Sequence, residues 1–108
     1  MSRDYTTEEL RRRLPDLVVV EALGGSYFAS AHIPGAVNIP PHRVREIAPA
    51  VLPDRDARVV VYGASPTCQQ AEMVLRILTL LGYRNVSRYP EGKEGWAAAG
   101  LPLVTSDG

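Results

Sequence analysis

The sequence predicts an α/β domain in three layers, with a central, mainly parallel β-sheet flanked by helices. Two continuous runs rich in β-branched residues, 17–21 and 58–62, have the length and composition of strands buried on both faces. Helical segments separate the predicted strands, and strands that alternate with helices usually pair in parallel. A chain of 108 residues is long enough for one such domain, which we assign to residues 1–108.

The first predicted helix is defined by its two ends. Thr6, with Glu9 three residues later, forms a capping box at the start, and Pro15 ends the helix. Gly24 and Gly25 interrupt the chain after the first strand. The next predicted elements are a helical turn, a short strand and a helix, over residues 27–29, 36–39 and 42–51.

The second half of the chain contains the longest predicted helix, over residues 68–81. Its apolar residues recur at helical spacing, at Ala71, Val74, Leu75, Leu78 and Leu81. Ser65 is the predicted N-cap, with Pro66 at the first helical position, and Gly82 follows the last turn. A third strand over 85–89 and a short helix over 93–99 complete the prediction.

The composition excludes several classes of function. Twelve basic residues balance twelve acidic ones, so we expect neither a nucleic-acid partner nor an anionic membrane surface. One cysteine with two histidines is too few for a structural zinc site, and we expect no metal and no cofactor. Residues 1–5 lack the apolar stretch of a signal peptide, so we expect a cytoplasmic protein.

The junction between the strand over 58–62 and the long helix is the candidate site. A strand, a tight turn and a helix start point backbone N–H groups at one spot and add the positive end of the helix dipole. Such a site stabilises anions, including a thiolate, which is the nucleophilic form of cysteine. We therefore take Cys68 as the candidate nucleophile. The candidate substrate-binding residues are Gly63, Ala64, Ser65, Pro66 and Thr67.

Three blocks of the sequence resemble the rhodanese (sulfurtransferase) domain family. They are AHIPGAVNIP at 31–40, the strand and helix that run from VVVY at 59–62 to LGYRNV at 81–86, and EGKEGW at 91–96 with AGLP at 99–102. Together they span nearly the whole chain in the family's order. The resemblance implies a rhodanese-like fold and transfer of sulfane sulfur from thiosulfate or a persulfide donor. The acceptor would be a thiol or a cyanide-like nucleophile.

The chain departs from the family's pattern at its site. Domains that it resembles usually have Asp-x-Arg at the end of the first strand, where this chain has Glu21-Ala22-Leu23. Their catalytic cysteine is normally the first loop residue, which here is Gly63. Glu91 replaces the first glycine of the family's Gly-Gly pair. Cys68 lies five residues after the expected position, and we expect it at the far rim of the loop.

The loop itself carries no charge between residues 64 and 67. We therefore expect Lys93, with Arg88 or Arg84, to supply the positive charge that attracts an anionic sulfur donor. We also expect the backbone N–H groups of residues 63–68 to converge on one pocket for a small anion.

Two roles for Cys68 remain open. It is the sulfur carrier if its thiol faces the loop. It is an inert core residue if it faces inward, because it precedes Ala71 and Leu75 by three and seven residues on the buried stripe of the helix. In the second case the domain is a catalytically inactive module that binds an anion or a protein partner. A phosphatase is disfavoured, since the loop lacks the arginine and the length needed to wrap phosphate.

Overall fold

The two β-branched runs form the inner strands of a parallel sheet. In the computed structural model, which describes residues 4–106, β1 (Val18–Glu21) lies between β2 (Val37–Asn38) and β3 (Arg58–Tyr62). The outer neighbour of β3 is β4 (Asn85–Tyr89). These strand pairs are all parallel, as predicted.

Helices cover both faces of the sheet, which confirms the three layers. Their bounds are Thr7–Arg13 for α1, Gly25–Ser30 for α2, Val44–Val51 for α3, Gln69–Leu80 for α4 and Gly92–Ala98 for α5. Alternate strand residues face opposite cores because side chains of a strand alternate in direction. Val20 and Val61 pack in one core with residues of α3 and α4, whereas Val60 packs in the other with Leu10 of α1 and Trp96 of α5.

The ends of the elements follow local signals closely. The capping box is present, because the N–H of Glu9 donates to the Thr6 hydroxyl at 3.1 Å and the N–H of Thr6 donates to the Glu9 carboxylate at 3.2 Å. Pro15 lies in a 3₁₀ turn that follows α1. The first two residues of the helix predicted over 42–51 instead belong to a second 3₁₀ turn, Pro41–Arg43. This turn begins at a proline because proline is tolerated in the first turn of a helix.

The carboxyl ends of the parallel strands bring three segments together at one edge of the sheet. They are Glu21 at the end of β1, the loop after β3, and the start of α5 after β4. No helix within residues 4–106 is both long and apolar enough to cross a membrane. Residues 1–3, which belong to the stretch searched for a signal peptide, lie outside the described residues.

Candidate active site

The loop over residues 63–68 leaves β3 at the carboxyl edge of the sheet and leads into α4. The helix begins at Gln69, and Cys68 is its N-cap, with extended backbone (φ −71°, ψ 112°). The predicted N-cap at Ser65 and helical start at Pro66 are therefore wrong. The N–H of Cys68 donates to the carbonyl of Ser65 at 3.1 Å, so the chain makes a separate turn before the helix starts.

The thiol of Cys68 lies against Gly63. A Cβ atom added to Gly63 would lie 2.2 Å from Sγ of Cys68 and 2.8 Å from its Cβ. The sulfur therefore fills the space that a side chain at residue 63 would occupy, and the expectation that it lies at the far rim of the loop is wrong. The Cys68 side chain is 9% exposed, and its Sγ donates to Oε1 of Gln70 at 3.2 Å.

The start of α5 anchors the first half of the loop. The N–H of Lys93 donates to the carbonyl of Gly63, and the N–H of Glu94 donates to that of Ala64, both at 2.9 Å. Gly92 makes this close packing possible: its φ is +66°, and a Cβ there would lie 2.6 Å from the Gly63 oxygen. Only glycine fits both the conformation and the space.

This anchoring sets the direction of the loop amides. In a trans peptide the N–H points away from the preceding C=O, so the N–H groups of Ala64 and Ser65 point away from α5. Among the described residues neither N–H has an acceptor, and the same holds for Thr67. The prediction that all N–H groups of residues 63–68 converge on one pocket is wrong for two of these residues, because Pro66 has no N–H and that of Cys68 is already bonded. For the others, convergence stays a prediction.

Arg88, on β4, holds the second half of the loop. Its Nη2 donates to the carbonyl of Cys68 at 3.0 Å and to that of Pro66 at 3.4 Å. By the same peptide geometry, these bonds turn the N–H groups of Thr67 and Gln69 away from the guanidinium. Nε of Arg88 is buried and has no partner among the described residues. Arg88 therefore places a positive charge beside the loop, and its role in attracting an anionic donor stays a prediction.

The other two cations proposed for this role are engaged elsewhere. Arg84 precedes β4 at the opposite end of the sheet and lies 3.5 Å from a carboxylate oxygen of Asp56. Lys93 forms an ion pair with Glu21, with Nζ 3.0 Å from Oε2, and also donates to the carbonyl of Tyr27 at 3.1 Å. Neither Arg84 nor Lys93 is therefore a free steering charge.

The Glu21 carboxylate is the centre of a buried polar network. It is fully buried, and its other oxygen accepts from the Tyr62 hydroxyl at 2.7 Å. That hydroxyl in turn accepts from the N–H of Ile33 at 3.1 Å. Burial, with the hydrogen bond to Glu21, raises the pKa of Tyr62 well above its usual value. Together with Lys93, the network ties β1, β3 and α5 beneath the loop.

Sequence reasoning missed this network and assigned Glu21 only as a departure from the family's pattern. The signal that could have found it is a carboxylate at the end of a fully apolar strand, since a buried charge needs a partner. No cluster of three or more His, Cys, Asp or Glu side chains within residues 4–106 is arranged to hold a metal ion.

A family model described as "Rhodanese-like domain" matches residues 6–99. Among curated proteins, the chain is 32% identical over 93 residues to the HTH-type transcriptional regulator Rv0324 of Mycobacterium tuberculosis, covering 86% of this chain and 40% of that protein. It is also 32% identical over 91 residues to the uncharacterized protein YibN of Escherichia coli K12, covering 82% and 62%. The chain thus spans about two fifths to three fifths of these relatives.

Among solved structures, one described as "rhodanese with anions from E. coli" superposes with a TM-score of 0.68 and 26% identity. The match covers 82% of this chain and 98% of the other. The sequence blocks, the parallel sheet and these matches agree on one fold.

Proposed function

The chain belongs to the rhodanese-like domain family, and on that premise we propose that it is a sulfurtransferase that carries sulfane sulfur as a persulfide on Cys68. The main support is the position of the sulfur. The family that the chain resembles normally has its catalytic cysteine at the residue that is Gly63 here, and the Cys68 sulfur fills the side-chain space of that residue. In this proposal, the thiol of Cys68, at the end of the loop, has the place of the family's cysteine at the first loop residue.

The proposed chemistry has two displacements at sulfur. The Cys68 thiolate attacks the sulfane sulfur of thiosulfate, the bond between the two sulfur atoms of thiosulfate breaks, and sulfite leaves with the electron pair. A nucleophilic acceptor, such as cyanide or a thiolate, then attacks the outer sulfur of the persulfide. The Cys68 thiolate leaves and is regenerated, so the cycle needs no oxidant or reductant. A persulfide donor would enter the same cycle, with a thiolate as its leaving group.

The loop supplies hydrogen-bond donors for the anions of this cycle. The N–H groups of Ala64, Ser65 and Thr67 have no acceptor within the described residues and are available to a sulfonate or a persulfide anion. Arg88 adds one positive charge next to the loop while it holds the loop's carbonyls.

The alternative function is an inactive rhodanese-like module that binds an anion or a protein partner. The observation in its favour is the burial of the Cys68 side chain, 9% exposed, with its sulfur donating to Gln70. A buried thiol reacts only when the loop or the helix start opens, because a donor has to reach the sulfur along its axis of attack. In that case the amides would still bind anions.

Formation of thiocyanate from thiosulfate and cyanide tests the proposal. We expect slow turnover that Cys68→Ser abolishes. Ser26→Ala is the matched control, because it removes the hydroxyl of an exposed serine on α2, outside the loop. Turnover that survives in Cys68→Ser refutes Cys68 as the carrier. If the wild-type protein binds sulfite or thiosulfate without turnover, the binding-module function replaces the catalytic one.

A further inference from the structure

A second apolar stripe runs along α4, beside the stripe that packs in the core, and its middle residue, Ile77, packs partly against that core. It consists of Met73, Ile77 and Leu80, at spacings of four and three residues, which places them on one helix face. Leu80 is 77% exposed and Met73 is 53% exposed, whereas Ile77 is half-buried. Large exposed apolar side chains in a row on a helix are typical of an interaction surface.

A cleft of about 980 Å³ adjoins this stripe, between α4 and the start of β4. None of its lining residues within 4–106 is acidic, and four of them are arginines: Arg13, Arg58, Arg76 and Arg84. Arg84 lies 3.5 Å from Asp56, which is outside the lining, and both side chains are exposed. The other three arginines have no carboxylate partner among the described residues.

We propose that this cleft docks an acidic amphipathic segment of a partner protein. The apolar side of the segment would pack on Met73 and Leu80, and its Asp and Glu residues would face the arginines. The charge argues for this occupant: the chain is neutral as a whole, yet the described lining of this cleft has no acidic residue and three arginines, Arg13, Arg58 and Arg76, outside any ion pair with a described carboxylate. Apolar contacts at helical spacing, flanked by complementary charge, are the pattern of a helix bound in a groove.

A nucleic acid fits the cleft less well. A phosphate backbone offers no counterpart for the apolar stripe, and base stacking needs exposed aromatic rings. The aromatic residues of the cleft are Tyr5 and Tyr83, which are only 7% and 3% exposed. The arginines alone are therefore insufficient to favour RNA or DNA.

The cleft extends from the early turns of α4, at Met73, to the end of the sheet opposite the candidate active site. Arg58 and Asn85, which line the cleft, begin β3 and β4, whereas the loop over 63–68 follows the carboxyl end of β3. The proposal does not depend on sulfur transfer.

Selection of a random peptide library on the intact chain tests this surface. We expect the selected peptides to combine apolar residues at helical spacing with Asp and Glu. A labelled peptide of that type should bind the double variant Met73→Ser/Leu80→Ser roughly tenfold or more weakly than the wild type. Both positions are exposed, so the variant should fold. Tyr27→Ser, which alters an exposed aromatic residue outside the cleft, is the matched control.

Charge reversal gives the second part of the test. Arg76→Glu should weaken the acidic peptide, mostly at low salt, whereas Arg45→Glu on α3 should not. The proposal is wrong if no peptide is enriched, or if the enriched peptides are basic or bind the cleft variants as well as the wild type. A labelled single-stranded oligonucleotide that binds in their place, or self-association that Leu80→Ser abolishes, would identify a different occupant and overturn it.

Discussion

Gly63→Ala is the substitution that tests most directly whether the Cys68 sulfur lies in the side-chain space of residue 63. The new Cβ would lie 2.2 Å from Sγ, whereas nonbonded heavy atoms usually approach to about 3.5–4.0 Å. One of the two residues must therefore move by about 1.3 Å or more. Gly63 is not among the glycines with positive φ, so this overlap, and not the backbone conformation, is the source of the cost. We expect the free energy of unfolding to fall by about 1–3 kcal/mol.

A double-mutant cycle isolates the contact. In a Cys68→Gly background the sulfur and its Cβ are gone, and the nearest remaining neighbour is Cβ of Ala71 at 3.5 Å, an ordinary contact. Glycine is also accepted at an N-cap. We therefore expect Gly63→Ala to become neutral or slightly stabilising in this background, which gives a coupling energy of about 1–3 kcal/mol between the two residues.

Urea unfolding followed by the fluorescence of Trp96 measures these differences. Gly24→Ala is the matched control, since Gly24 has φ −63° and the nearest atom to an added Cβ lies 3.8 Å away. It should change the free energy of unfolding by less than about 1 kcal/mol. The reasoning fails if Gly63→Ala costs no more than the control, or if its cost is the same with and without the Cys68 side chain.

Three further substitutions, one of them paired with a control at Gly100, test the support of the loop. Lys93→Met leaves the fully buried Glu21 carboxylate without its ammonium partner and should lower the free energy of unfolding in urea by about 3–5 kcal/mol; a loss below about 1 kcal/mol contradicts the buried pair. Gly92→Ala and Gly100→Ala both place alanine at a positive φ, but only Gly92 packs against the loop. Gly92→Ala should therefore lower the free energy of unfolding by about 1–3 kcal/mol more than Gly100→Ala. Equal losses contradict the close packing. Arg88→Met should lower kcat for sulfur transfer roughly 10- to 100-fold, because the loop carbonyls lose their donor, and an unchanged kcat refutes this role.

Local sequence patterns predicted most of the fold. The strands at 58–62 and 85–89 have the predicted bounds, and the long helix has its predicted buried residues and ends one residue before its predicted end. These elements could be predicted because the spacing of their apolar residues and the turn residues at their ends indicate the same bounds. The order of the strands in the sheet could not be predicted in this way, since it depends on crossovers that local patterns do not encode.

The site was predicted in its location but not in its geometry. The Ser65-Pro66 pair matches the signature of a helix start, yet the chain makes one more turn before α4 begins at Gln69. That turn brings the Cys68 sulfur into contact with Gly63. The separation of five residues in the sequence therefore did not predict how close the two residues lie in the structure. The Glu21–Lys93 pair joins residues that lie 72 positions apart, which no local pattern can reveal.

The central claim is that Cys68 carries sulfur. Intact-protein mass spectrometry after incubation with thiosulfate measures this directly. We predict that the wild-type chain gains the mass of one sulfur atom, that cyanide removes it, and that Cys68→Ser gains nothing. A wild-type chain whose mass does not change, while its thiol also resists alkylation in the folded state, would contradict the account and make Cys68 a structural residue.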